Sequence, residues 1–186
     1  AADDETPQTT TLTDHTILVG YGRVGSLVGQ ALREKSLPFL VIEDASRPQG
    51  RLRQDGVETI AGNAVRDDIL GSANVAGASR LIIAIPNAFE AGQIVETARA
   101  ANPQLTIIAR AHSDAEVEHL TGLGAGTVIM GEREIARGII DEVTGAATAA
   151  APPATPAHTS PFEPLDPSPP APLPEGGERA RDGSHI

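Results

Sequence analysis

Six short apolar runs alternate along the chain with longer stretches in which apolar residues recur every three or four positions. The short runs predict β-strands and the longer stretches predict amphipathic helices, because helical residues at that spacing share one face. The predicted strands are residues 16–19, 39–42, 58–61, 80–85, 106–109 and 127–129. The predicted helices are residues 24–35, 47–54, 67–73, 88–101, 114–123 and 132–143.

This regular alternation predicts an α/β fold, a Rossmann-type doubly wound parallel six-stranded sheet with strand order 3-2-1-4-5-6. The run 80–85 is apolar at successive positions after its first residue, which predicts a strand buried on both faces. Asp67 or Asp68 is expected to cap the first turn of its helix, and Asn87 is expected to be the N-cap of the next helix.

Composition divides the chain into three zones. Residues 1–14 are acidic and polar and predict a disordered linker, whereas residues 15–144 carry the strand–helix alternation of one Rossmann domain. Residues 145–186 form an Ala/Pro-rich tail, with ten of the 15 prolines between Pro152 and Pro174. Because proline blocks helix and sheet interiors, we expect this tail to be disordered.

Charge and residue content exclude several classes of protein. The net charge is −11 and no basic stripe is present, so nucleic acid is not an expected partner. The chain has no cysteine, which excludes disulfides, cysteine-ligated zinc and thiol catalysis. No His, Asp or Glu spacing is typical of a metal site, and no apolar run is long enough to cross a bilayer.

A glycine-rich turn directly follows the first predicted strand and opens the first predicted helix. It has the form Gly-x-Gly-x-x-Gly and consists of Gly20, Tyr21, Gly22, Arg23, Val24 and Gly25. In such a turn the first glycine permits the bend, the second lets a phosphate approach the backbone, and the third lets helix and strand pack closely. The helix N-terminus offers free N–H groups to the phosphate.

Other candidate contacts follow the next strands, at the same edge of the sheet. Glu43 ends the second strand and is suited to accept hydrogen bonds from ribose hydroxyls, with Asp44 as the competing choice. An acid there repels a 2′-phosphate and disfavours NADP, whereas Arg47, a few residues later, would favour a 2′-phosphate. After the third and fourth strands come the remaining candidates, which are Gly62, Asn63, Ala64, Ile85 and Pro86. Asn63 is able to form a hydrogen bond with the edge of an adenine base, or it is equally a simple turn residue without a ligand contact.

No residue pattern indicates catalysis. His112 follows the fifth strand without a visible Asp or Ser partner, and the acids around His119 are typical of a solvated helix face. The tail cannot supply the substrate domain that a dehydrogenase needs. These features favour a domain that senses a nucleotide; an NAD-dependent oxidoreductase fragment is the alternative.

Five segments together resemble the TrkA-N domain, also called the RCK N-domain, and most of all the regulatory domain of Kef/YbaL-type monovalent cation:proton antiporters. They are the glycine turn at 20–25, Gly62-Asn63-Ala64, Ile85-Pro86-Asn87, residues 108–112 and residues 131–137. The resemblance implies binding of an adenine nucleotide, AMP or NAD(H), without chemistry on it. The family often has Asp where this chain has Asn63.

The resemblance also implies partners and a location. It implies a homodimer, a transmembrane antiporter domain in the same full-length protein, a position at the cytoplasmic face of the inner membrane, and nucleotide control of K⁺/H⁺ transport. A free-standing RCK/Trk-type subunit of a potassium transporter is the alternative. Helix 132–143 is expected to form the dimer contact or, equally, to pack into the domain's own core through Ile135, Ile139 and Ile140.

Overall fold

The computed structural model describes residues 9–44, 52 and 56–145. Its strands are Thr16–Val19 (β1), Phe39–Glu43 (β2), Thr59–Ala61 (β3), Arg80–Ile83 (β4), Thr106–Ala111 (β5) and Thr127–Met130 (β6). Its α-helices are Arg23–Glu34 (α1), Asp67–Ser72 (α2), Ala88–Ala101 (α3), Asp114–Gly122 (α4) and Gly131–Thr144 (α5). A 3₁₀ turn spans Val75–Gly77. The predicted helix 47–54, apart from Leu52, and the predicted tail beyond residue 145 lie outside the described residues.

All six strands are parallel, in the order β3-β2-β1-β4-β5-β6. The predicted doubly wound Rossmann-type sheet is therefore confirmed, and the order reverses direction between β1 and β4. In a sheet of this kind a crevice opens at the carboxyl ends of the strands next to the reversal. The glycine turn, which follows β1, lies at that edge, and the segments that follow β2, β3 and β4 lie there too.

The two faces of the sheet are covered differently. One face, which includes Ile17 and Leu81, packs with α2, α3 and α4 into a large core. The other face, which includes Leu18, packs with Val28 of α1 and with Leu52. The prediction that 80–85 is buried on both faces is wrong, because burial alternates along β4 and Ile82 is only half-buried.

The start of α3 agrees with the predicted capping, and the start of α2 does not. Asn87 is the N-cap of α3, as predicted, and its Oδ1 accepts the backbone N–H groups of Phe89 and Glu90 at 3.0 and 3.2 Å. The predicted capping of α2 by Asp67 or Asp68 is wrong. Arg66 is the N-cap without a side-chain capping bond, and its guanidinium engages Asp68 at 2.7 Å. This exposed partner lowers the pKa of the Asp68 carboxyl.

Residues 9–14, which were predicted to belong to a disordered linker, lie instead against the domain. They lie against the end of α2 and the 3₁₀ turn, where Thr10 is buried and Leu12 packs on the large core. Their backbone is held by hydrogen bonds, including Thr10 N–H to Ser72 O at 2.9 Å and Asp14 N–H to Gly77 O at 2.8 Å. The residues before position 9 lie outside the described part of the chain.

Helix α5 does not pack into the core. None of its residues is buried, and Ile135, Ile139, Ile140 and Val143 each keep between 58% and 79% of their surface exposed. The alternative in which this helix fills the domain's own core is therefore wrong. Within the described residues, no helix combines the length and the apolarity that a membrane span requires.

Candidate functional site

A cavity of about 690 Å³ opens at the carboxyl edge of the sheet, at the point where the strand order reverses. Eleven of the 13 predicted site residues line it: Gly20, Gly22, Arg23, Val24, Glu43, Asp44, Gly62, Asn63, Ala64, Ile85 and Pro86. The structure thus brings together segments that are far apart in the sequence but follow four neighbouring strands. The volume of the cavity falls in the range of small-molecule binding sites in proteins.

The two glycines at the ends of the turn are required by the fold itself. Gly20 has φ +87°, a left-handed conformation that favours glycine, and a Cβ there would lie 2.8 Å from Cγ2 of Ile85. A Cβ on Gly25 would overlap the carbonyl oxygen of Gly20. Gly25 was predicted to belong to the binding site, but it does not line the cavity. Its role is instead to allow close packing between α1 and the turn.

Gly22 differs from these two. It lines the cavity, has φ −75°, and a Cβ there would meet no protein atom within 4 Å. Neither backbone strain nor packing against the described residues explains a glycine at this position. Gly22 is also the N-cap of α1, with no side-chain capping bond and no acidic residue in the first turn. The helix end therefore presents N–H groups suited to an anion beside a residue without a side chain.

Tyr21 is the second predicted site residue that does not line the cavity. Its ring packs against α1 at Gly29, where a Cβ would lie 2.6 Å from the ring. The ring belongs to the cluster on the Leu18 face of the sheet. The contribution of Tyr21 to the site is its backbone, because its N–H donates to Oε2 of Glu43 at 2.5 Å.

Glu43 is the last residue of β2, as predicted, and only 7% of its surface is exposed. Its Oε2 accepts the Tyr21 N–H and its Oε1 accepts the Asp44 N–H at 3.2 Å. These bonds fix the carboxylate at the cavity wall and tie the end of β2 to the glycine turn. Each oxygen of a carboxylate can accept more than one hydrogen bond, and ribose hydroxyl groups are suitable donors.

Asn63 combines the two roles that the sequence left open. Its Oδ1 accepts the Val65 N–H at 2.8 Å and closes a turn of the chain after β3. The same residue lines the cavity. Because the oxygen serves the turn, the amide nitrogen is the atom left to donate a hydrogen bond toward a ligand.

The cavity includes polar residues that the sequence did not assign to the site, among them Arg110, Glu90 and Asn87. Arg110 belongs to a segment that carries the family resemblance but was not assigned to the nucleotide site; in the structure β5 runs to Ala111, two residues beyond the predicted end, and Arg110 lies at the carboxyl edge of the sheet. Continuing the strand alternation past Ala109 was the signal that could have found it. Arg23 and Arg110 balance part of the negative charge of Glu43, Asp44 and Glu90.

His112 does not belong to the cavity. Its backbone N–H donates to Oε2 of Glu116 at 2.7 Å, and its ring Nδ1 lies 3.8 Å from a carboxylate oxygen of Glu132. Asp114, predicted on a solvated face, pairs with Arg133. These contacts link the β5–α4 connection to the start of α5. In the part of the chain that the structure describes, no group of His, Asp and Glu is arranged to hold a metal ion.

Comparison with known proteins agrees with this architecture. The TrkA-N domain model matches residues 16–131. The putative cation/proton antiporter YbaL of Escherichia coli K12 is 46% identical over 141 residues, which cover 76% of this chain and 25% of that protein. This chain thus spans about a quarter of the length of that antiporter.

Solved structures show the same likeness. The TrkA-N domain of the inner membrane protein ybaL from Escherichia coli is 47% identical, with a TM-score of 0.69 over 72% of this chain and 99% of that one. An AMP-bound Kef C-terminal domain from Shewanella denitrificans is 27% identical, with a TM-score of 0.61 over 73% of this chain and 82% of that one. From its cavity, its sheet and these matches, the chain belongs to the TrkA-N domain family.

Proposed function

We propose that this chain is the nucleotide-sensing regulatory domain of a Kef-type monovalent cation:proton antiporter and lies at the cytoplasmic face of the inner membrane. In this proposal an adenine nucleotide, AMP or NAD(H), occupies the cavity and gates K⁺/H⁺ transport by a transmembrane domain of the same full-length protein. The identity with the antiporter YbaL supports the transport role, and the AMP-bound Kef domain supports the ligand class.

Gly22 is the observation that carries the ligand proposal. It lacks a side chain where the protein leaves open space, beside the uncapped N-terminus of α1. A phosphate placed there would receive the first N–H groups of α1 and lie near Arg23, which lines the same wall. No other feature of the described structure requires a glycine at this position.

The remaining contacts follow from a phosphate in that place. The ribose hydroxyls would donate to Glu43, and the base would lie toward Asp44 and Asn63, which follow β2 and β3 at the same edge. The buried Glu43 carboxylate would repel a 2′-phosphate, so the proposal favours NAD(H) over NADP(H).

We also propose that the nucleotide is sensed and not consumed. The described residues that line the cavity include the carboxylates of Glu43, Asp44 and Glu90, but no His, Lys, Tyr, Ser or Cys that could donate a proton to a carbonyl substrate or act as a nucleophile. The assay is NADH absorbance in the presence of a panel of small carbonyl compounds. Steady NADH consumption above the rate without protein would favour the oxidoreductase alternative.

The homodimer is a further part of the proposal, and α5 supports it. A helix of 14 residues is marginally stable alone in water, yet α5 buries none of its residues in the domain. Its exposed isoleucines and Val143 therefore suit the surface of a second copy. Sedimentation should show a dimer, and Ile139→Asp should shift the chain to monomer. A wild-type chain that stays monomeric at high concentration would refute the dimer.

The ligand proposal is tested by thermal unfolding of the chain with AMP, ADP, ATP, NAD⁺, NADH and NADPH in turn. We expect AMP and NAD(H) to raise the melting temperature and NADPH to do so least. If no nucleotide changes the melting temperature, nucleotide binding is refuted. Gating is tested separately, by K⁺/H⁺ exchange of the full-length transporter in vesicles with and without the nucleotide.

A further inference from the structure

Residues 9–14, called here the N-terminal strap, are docked at the edge of the domain opposite the cavity. Thr10 is buried, and its N–H donates to the carbonyl of Ser72 at 2.9 Å. Asp14 N–H donates to the carbonyl of Gly77 at 2.8 Å, and Leu12 packs on the core. The strap is thereby held to α2 and to the 3₁₀ turn at both of its ends.

Two side chains complete the attachment of the strap. Asn74 adopts a left-handed conformation, φ +49°, and its Nδ2 donates to the carbonyl of Leu12 at 2.8 Å. His15, the fully buried residue that follows the strap, places its Nε2 3.0 Å from the carbonyl of Ala73. Carbonyls at a helix C-terminus lack partners within the helix, and here the strap and His15 supply them. The strap and the carboxyl end of α2 are one hydrogen-bonded unit.

The other end of α2 is joined to the cavity. Gly62 and Asn63 line the cavity, and the carbonyl of Asn63 accepts the N–H of Arg66, the N-cap of α2, at 3.1 Å. The buried Ile69 side chain of α2 packs directly on Gly62, where a Cβ would lie 2.5 Å from its Cδ1. A shift of this loop would therefore change the packing of Ile69 against it.

The helix between these two ends is short and well packed. It has six residues, so it rises about 9 Å from the cavity loop to the strap. Ile69, Leu70 and Ser72 are buried, which leaves α2 little freedom to deform internally. An element of this kind transmits a displacement as a rigid body, because packed cores resist gradual deformation.

We propose that α2 couples the cavity to the N-terminal strap, so that a nucleotide bound at the 62–64 loop favours the docked state of the strap. The inference rests on the proposed function, because it requires that AMP bind in the cavity. Binding couplings are reciprocal, so a docked strap raises the affinity of the cavity for AMP by the same factor. In the full-length transporter the strap would carry the signal toward the transmembrane domain.

The test measures amide hydrogen exchange of residues 10–14 in the complete 186-residue chain, with and without saturating AMP. We expect AMP to slow exchange of these amides by about fivefold or more. Asn74→Ala removes the bond to Leu12 and should speed strap exchange in the absence of ligand. By reciprocity, the same variant should weaken AMP binding by about threefold or more in calorimetry.

Asn102→Ala is the matched control. Its Nδ2 donates to the carbonyls of Val75 and Ala78, next to the same 3₁₀ turn, and makes no contact with the strap that the structure records. It should lower the melting temperature as Asn74→Ala does, while leaving AMP affinity within about twofold of wild type. If Asn102→Ala behaves in this way, the weaker AMP binding of Asn74→Ala cannot be explained by a general loss of stability.

The outcomes separate the coupling from the proposed function. If AMP binds but strap exchange is unchanged, and Asn74→Ala binds AMP as wild type does, the coupling is overturned while nucleotide sensing stands. If AMP does not bind the wild-type chain, both are overturned. Equal loss of affinity in Asn74→Ala and Asn102→Ala also overturns the coupling, because the effect would then follow stability alone.

Discussion

Replacing Gly22 by valine separates a glycine required by the ligand from one required by the fold. The backbone at Gly22 is extended, at φ −75° and ψ −157°, and a Cβ there has open space around it. We expect the unliganded variant to lose about 1 kcal/mol, because valine is a poorer N-cap than glycine. That loss lowers the melting temperature of a domain of this size by about 2–4 °C.

The ligand-dependent part of this prediction is larger. AMP at 100 times its Kd stabilises the wild-type chain by about 2.7 kcal/mol, which raises the melting temperature by about 5–11 °C. Gly22→Val places two methyl groups where the proposal puts the phosphate, so we expect this rise to vanish. Differential scanning fluorimetry at increasing AMP concentrations measures both quantities in one experiment.

Gly25→Ala is the matched comparison for Gly22→Val. Its Cβ would overlap the carbonyl oxygen of Gly20, so we expect a loss of about 2 kcal/mol or more without any ligand. A Gly22→Val chain that keeps the full AMP-induced rise would refute the placement of the phosphate. A Gly22→Val chain as unstable as Gly25→Ala would refute the claim that the fold does not need this glycine.

Three further changes test the rest of the site and the fold. Glu43→Gln should weaken AMP binding about tenfold, since a charge-assisted hydrogen bond is lost. Calorimetry with 2′-deoxy-AMP should show that removing the 2′-hydroxyl costs less affinity in the variant than in the wild type. An equal loss of affinity in both chains would contradict the ribose contact. Asn63→Asp keeps an oxygen for the turn and adds a carboxylate oxygen, so the preference for AMP over IMP should rise; an unchanged ratio of the two Kd values would contradict a base contact. His15→Ala should cost about 2–4 kcal/mol in urea unfolding, because it leaves the Ala73 carbonyl without its partner and opens a cavity, and a loss below about 1 kcal/mol would contradict this account.

Much of the fold could be predicted because its signals are local. The alternation of strands and helices predicted the strand order of the sheet. Asn87 could be predicted as an N-cap because its side chain can accept hydrogen bonds from backbone N–H groups. The glycine turn and Glu43 were recognisable because a motif of fixed spacing places them at one edge. Eleven predicted site residues line the cavity for this reason.

The features that could not be predicted depend on contacts between distant segments. The sequence of the strap predicted a disordered polar arm. The structure differs because the backbone N–H groups of Thr10 and Asp14 bond to carbonyls in residues 72–77, and backbone hydrogen bonds leave no pattern in the sequence. The ring of Tyr21 turns away from the cavity because Gly29, eight positions later, leaves room for it on α1. Each of these outcomes is decided by packing and not by the type of residue.

One face of the sheet is incompletely covered by the part of the chain that the structure describes. Val28 of α1, the helix that connects β1 to β2, packs on the Leu18 face, whereas α2, α3 and α4 pack on the opposite face. Within the described residues, burial of the Leu18 face falls from β4 toward β6: Ile82 and Ile108 are only half-buried, and Ile129 is exposed. Helix α5, the one described element after β6, buries none of its residues. Among the described residues, the chain therefore exposes apolar side chains both on the sheet near β6 and on one face of α5, and a second copy related by two-fold symmetry would cover such surfaces, which supports the proposed homodimer.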